Sequence, residues 1–104
     1  MSGHFVERRF ELGDDAEIVL RIAPPVSDGA NFRCDYEVIW PDRTDRSSGF
    51  GVDGVQALLN ALHSTRHNLM ASDDFASGRL TWCDERDLGL PQSRPWPARP
   101  DQSN

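Results

Sequence analysis

Apolar and polar residues alternate with a period of two through the first part of the chain, and turn residues interrupt the alternation. In FVERRFEL (5–12), Val6, Arg8, Phe10 and Leu12 share one face, with Phe5, Glu7, Arg9 and Glu11 on the other. This is the pattern of a strand with one wet face. Gly13-Asp14-Asp15 supplies turn residues, and AEIVLRIA (16–23) resumes the alternation with Ala16, Ile18, Leu20 and Ile22 inward, so the two runs predict a hairpin. Pro24-Pro25 ends the second strand and PPVSDGA (24–30) reads as a loop. The longest alternation is NFRCDYEVIW (31–40). It puts Phe32, Cys34, Tyr36, Val38 and Trp40 on one face and Asn31, Arg33, Asp35 and Glu37 on the other. After a turn at 41–45, RSSGFG (46–51) predicts a short fourth strand, weakened by its two glycines.

The period then changes from two to that of a helix. Over 53–71, Asp53 is a good N-cap, and Gln56 three residues on completes a capping-box pattern. Val52 stands where a hydrophobic staple onto Ala57 is expected. Val55, Leu58, Leu59, Leu62 and Leu69 form the expected buried stripe, with Asn60, Ser64 and His67 opposite, facing solvent. A one-sided helix needs a cover, and the face built from Phe10, Ile18, Leu20, Tyr36 and Trp40 supplies it. SDDFASG (72–78) reads as loop, RLTW (79–82) as a short fifth strand or an apolar lid, and DLGLP (87–91) as an anchoring turn. The expectation is an α+β domain over 1–91: an antiparallel sheet of about four strands with one amphipathic helix on one face. Residues 92–104 follow as a proline-rich tail, expected to be disordered.

Charge narrows the class of partner. The 104 residues carry 11 Lys+Arg and 17 Asp+Glu, a formal charge of −6. All the basic side chains are arginines, forks suited to bidentate carboxylate pairing. No basic stripe offers phosphates a path, so nucleic acid is not an expected partner. No apolar run reaches the ~20 residues that cross a bilayer, and MSGHFVERR has no apolar core of a signal peptide. Two cysteines are too few for a disulfide scaffold. A cytoplasmic protein with reduced thiols is expected.

The order of elements, with GFGVDGVQALLNAL, then LTW and DLGLP, is similar to small bacterial proteins of a domain family with no assigned function. The resemblance spans about residues 5–91. Its most specific part is GVDGVQAL (51–58) together with the later DLGLP. These residues serve capping and turn formation, so the resemblance implies a fold and carries over no catalytic residue.

Sites are few. His63 and His67 lie four apart on the predicted helix and share a face. With Cys83, or with Asp73 and Asp74, they are a candidate zinc set, although Ser64 follows His63 where zincins carry Glu. Two histidines on a surface helix explain the spacing equally well. Cys34 sits among inward apolar residues and reads as an inert thiol, while Cys83 is flanked by Asp84 and Glu85, which oppose thiolate formation. Gly49-Phe50-Gly51 before a helix resembles a phosphate turn, but Asp53 at the cap repels anions. The carboxylates at 14, 15, 73, 74, 84, 85 and 87 suit wet turns. In the tail, Trp96 between prolines, flanked by Arg94 and Arg99, is a candidate partner-binding segment. On the polar strand faces, Arg9, Arg21 and Arg33 interleave with Glu7, Glu17, Asp35 and Glu37, which predicts a salt-bridged outer sheet surface.

The leading functional expectation is a non-catalytic protein-interaction module with no cofactor, engaging a protein partner or a second copy through an edge strand. The alternatives are a small metal-dependent or ligand-binding enzyme using His63, His67 and Cys83, and an immunity- or antitoxin-like acidic protein that masks a basic partner.

Overall fold

The computed structural model describes residues 3–92. Six strands form one antiparallel sheet: β1 (Val6–Leu12), β2 (Ala16–Ile22), β3 (Val26–Asp28), β4 (Asn31–Ile39), β5 (Thr44–Gly51) and β6 (Leu80–Thr81). Two helices, α1 (Gly54–Met70) and α2 (Asp73–Ala76), lie between β5 and β6. β4 is the central strand. One side pairs along its length with β5, and the other is shared by β3, against Asn31–Arg33, and β2, against Tyr36–Ile39. β1 pairs with β2, and β6 closes on the far side of β1.

The expected α+β architecture holds, the short fifth strand read in RLTW forms, and β3 and one short helix are added. PPVSDGA is not all loop. Val26–Asp28 pairs back on β4 through a two-residue turn, where Gly29 takes φ +66° at the first central position, as a type II′ turn requires. All three β3 residues are exposed, so no apolar alternation marked them. SDDFASG holds α2, capped by Ser72, whose hydroxyl accepts from the Phe75 N–H. LTW supplies β6.

The helix buries Leu69 and packs Leu58 and Leu62 as expected, but the centre of its buried face is shifted toward small residues. Ala57, Ala61, Thr65 and Leu69 are fully buried, with Leu58 and Leu62 packed beside them, whereas Val55 is exposed. Asp53 caps as predicted, accepting from the Gln56 N–H at 2.8 Å, and the Gln56 side chain returns to accept from the Val52 N–H at 2.6 Å. The staple does not form, since Val52 is 72% exposed. The reason for the shift lies in β5. A Cβ on Gly49 would stand 2.6 Å from Ala57 O, and one on Gly51 would stand 2.7 Å from the Gln56 Cβ. The two glycines and two alanines let backbone meet backbone, and that close approach, not leucine volume, sets the helix rotation. The glycines that weaken β5 as a strand are its contact with α1, not a phosphate turn.

On the helix face, the core joins Phe10, Leu12, Ile18, Leu20, Ile22, Cys34, Tyr36, Val38 and Trp40 to α1, Leu80 and Leu88. The other face is charged. One rung runs Glu7–Arg21–Glu37–Arg46 across β1, β2, β4 and β5 with alternating sign. Arg21 Nε lies 3.4 Å from Glu7, and Arg46 Nε lies 3.2 Å from Glu37. Arg9 bridges Glu7 and Glu17, and Arg33 meets Asp35 at 2.8 Å, so the predicted ion-paired surface is present. Val19 and Glu37 are buried within this surface, outside the apolar core. No helix is long and apolar enough to cross a membrane among the described residues.

Candidate functional site

Ser64 and Asn68 follow the buried Ala57 and Ala61 by seven residues and so share their face of α1, yet both are exposed. The first half of the helix is seated on Gly49 and Gly51, and beyond it the helix side facing Ser47 is open. The wedge left open is a polar groove of about 420 Å³, with Tyr36 and Ser47 at its base and Asn60, His63 and His67 along its helical wall. Tyr36 and Ser47 are register partners on β4 and β5. Tyr36 is 3% exposed, and its hydroxyl makes no hydrogen bond among the described residues while keeping contact with solvent. A groove of this size matches those that take small ligands or a few side chains.

The open edge of β5 borders this groove. In an antiparallel ladder the N–H and C=O of one residue point the same way and successive residues alternate. The Trp40 N–H donates to Arg43 O at 2.7 Å, which starts the β4–β5 ladder. From there Asp45, Ser47, Gly49 and Gly51 turn toward β4, and Thr44, Arg46, Ser48 and Phe50 turn outward. Asn60 agrees with this parity, because its Nδ2 donates at 2.6 Å to Phe50 O from the open side and closes that end of the edge. Outward groups of Thr44, Arg46 and Ser48 have no strand beside them among the described residues. Nothing in the groove joins Ser47 or Ser64 to an imidazole by a hydrogen bond, the pairing that activates a nucleophile. The groove offers hydrogen-bonding groups and a strand edge.

At the opposite edge of the sheet, β6 and the turn after it cover the Glu11–Leu12 end of β1. Cys83 and Asp84 adopt φ of +52° and +65°, conformations uncommon outside glycine. Their N–H groups, at 3.2 and 3.0 Å, converge on the Glu11 carboxylate, which also accepts from the Thr81 hydroxyl at 2.9 Å. The Asp84 N–H, then the Thr81 hydroxyl and the Cys83 N–H, hold the Glu11 carboxyl below the usual range, against partial desolvation. This anion-binding turn is filled by the chain's own Glu11. Beside it, Arg8 lies over the Trp82 ring, 3.9 Å from its centroid, and donates to Leu88 O at 3.1 Å and Gly89 O at 2.9 Å. Gly89 has φ +68°, and a Cβ there would press within 2.7 Å of the Trp82 ring.

A family model described as Domain of unknown function (DUF6968) matches residues 6–92, from the first residue of β1 to the end of the described chain. The chain belongs to this family. No curated protein and no solved structure matches it. The DUF6968 match spans the β5 edge, the groove and the Glu11 turn, and it leaves out the proline-rich tail. Arg94, Trp96 and Arg99 lie outside the described residues.

Within the DUF6968 domain, His63 and His67 line one groove, as their spacing implied. Cys83 sits beyond β6, at the sheet edge opposite β5. Among the described residues no group of three His, Cys, Asp or Glu side chains is placed to hold a metal ion. Cys34 and Cys83 are both free thiols. Burial, and secondarily the charge of Asp35, pushes the Cys34 thiol up to about 11. Sequence reasoning missed Tyr36 and Ser47 as part of the groove and Asn60 as the clamp on Phe50. The signal available was small residues at 49, 51, 57 and 61, which mark where helix and strand touch and hence where they part.

Proposed function

We propose that this domain is a non-catalytic protein-interaction module that takes an extended segment of a partner protein as an added strand on β5. The observation that carries this reading is the eight-residue edge strand with outward hydrogen-bonding groups, bordered by a groove beneath α1. Strand addition draws affinity from main-chain hydrogen bonds, and pockets for alternate side chains give selectivity. Native sheets usually blunt such edges. Here two-residue β6 and the Glu11 turn cover the Glu11–Leu12 end of the β1 edge, while β5 presents eight residues of open edge. A peptide from a partner suits the groove better than a second copy. A second β5 brings toward it only Asp45, Ser47 and two glycines, and that Asp45 is already bonded to Trp40 Nε1 at 3.2 Å and paired with Arg43 at 3.5 Å. The carboxylates of the charged sheet face are interleaved with arginines, which supports strand capture over masking of a basic partner.

The test is peptide binding by the full chain, with a decapeptide library as probe and isothermal titration of the best binder. Ser48→Pro removes an outward N–H without touching the β4 ladder, a place where an edge strand tolerates proline. Ser48→Ala controls for the hydroxyl, which donates to Asp35 at 2.6 Å. Ser48→Pro is expected to weaken binding about tenfold or more, and Ser48→Ala to leave it near wild type. Equal binding by both variants, no peptide retained from the library, or a dimer seen by sedimentation that excludes peptide would each overturn the proposal.

A further inference from the structure

We propose that the groove floor is a specificity subsite for a carboxylate side chain of the docked strand, an inference that rests on strand addition at β5. Side chains of an added strand alternate between sheet faces. The residue beside Ser47 therefore lies on the groove side of the sheet, next to Ser47 and one strand out from Tyr36, facing the wall formed by His63, His67 and Asn60.

Three observations select its chemistry. The chain has 17 acidic against 11 basic residues, yet none of the groove's lining residues is Asp or Glu. An anion is repelled less there than over most of the surface. Asp45, which shares the inner face of β5 two residues away, is already engaged by Trp40 and Arg43, and Arg46 faces the other side with Glu37. The second observation is the Tyr36 phenol, 97% buried by its 3% exposure and without a protein partner among the described residues. An arriving side chain that covers it must accept its proton or leave a polar group stranded. The third is the balance of the wall. The Asn60 amide, occupied at Phe50 O through Nδ2, and the two imidazoles all have N–H groups, as the phenol and serines have O–H groups. A carboxylate accepts several such bonds at once. A lysine or arginine finds no counter-charge in the groove, and an aliphatic side chain desolvates these groups without replacing their bonds.

The test uses the full chain and a positional-scanning library of N-acetylated, C-amidated decapeptides, with a free-acid library in parallel to separate side-chain from terminal carboxylates. Asp or Glu is expected to be enriched about tenfold over Ala at one position, the scale of a charge-assisted hydrogen bond. Tyr36→Phe and His67→Gln are expected to cut that preference to about threefold or less, while both still bind amidated peptides and keep the wild-type urea midpoint within error. Peptide binding without acidic preference, a preference unchanged in both variants, or a preference for Arg or Lys would overturn the subsite and leave strand addition standing. Enrichment confined to the free-acid library would replace the side chain with a chain terminus and overturn the assignment as stated. Failure of both libraries to bind would remove strand addition itself, and the subsite with it.

Discussion

Gly49 and Gly51 govern the joint between helix and sheet because the space that a side chain would need is taken by backbone. Ala57 O and the helical main chain cannot swing away as a side-chain tip can. Gly49→Ala is therefore expected to lower stability by about 1–3 kcal/mol through overpacking, measured as a shift in the urea midpoint. A variant as stable as wild type would show that α1 is seated by something other than this contact. The cysteines make a second residue-scale case. Cys34 is fully buried, donates weakly to Ala23 O at 3.5 Å and holds its proton up to about 11, whereas Cys83 is exposed on the Glu11 turn. One thiol is expected to react with an aromatic disulfide reagent in the native state, the other only as the protein unfolds. Simultaneous release of both would contradict the burial of Cys34.

At the scale of elements, the turn after β6 is held by one carboxylate, and acid is the way to question it. The Glu11 carboxyl is depressed in the folded state, so its stabilising contribution is complete above the ordinary value of 4.5 and is lost as pH falls through the lower folded value. Glu11→Gln is expected to be less stable than wild type at neutral pH, with the gap closing as pH falls below the ordinary carboxylate range in paired urea titrations. A gap independent of pH would mean that shape, not charge, fills the turn. The elements legible in the sequence were those with one wet and one dry face. β1, β2 and β4 read directly from alternation, and the cap at Asp53 from its chemistry. β3 was invisible because all three of its residues are exposed and its pairing depends on a glycine turn. The helix face was misread because hydrophobicity favoured Val55 and Leu59, whereas Gly49 and Gly51 demanded small residues opposite them. The groove follows from that same joint and has no linear signature. It brings residue 36 beside residues 60–68 only after the strands pair.

For the whole molecule, the two edges of the sheet have been treated differently. The β1 side ends in two-residue β6, a filled anion turn and the stack of Arg8 on Trp82. The β5 side keeps eight residues of strand with only its far end tied, by Asn60. β6 covers only the Glu11–Leu12 end of β1, and β3 is three residues long, so β5 is the longest continuous edge open to an added strand among the described residues.

The Arg8 contact also bears on when this protein can finish folding. Its guanidinium, on the first strand, is satisfied by carbonyls at 88 and 89, a separation of 80 and 81 residues. During synthesis from the N-terminus, β1 and β2 leave the ribosome long before those carbonyls exist. The first hairpin must wait with Phe10, Ile18 and Leu20 uncovered on the side that the last turn helps to close. Closure of the domain is thus tied to release of nearly its entire length, and a nascent chain stalled before residue 88 remains a sheet without its clasp.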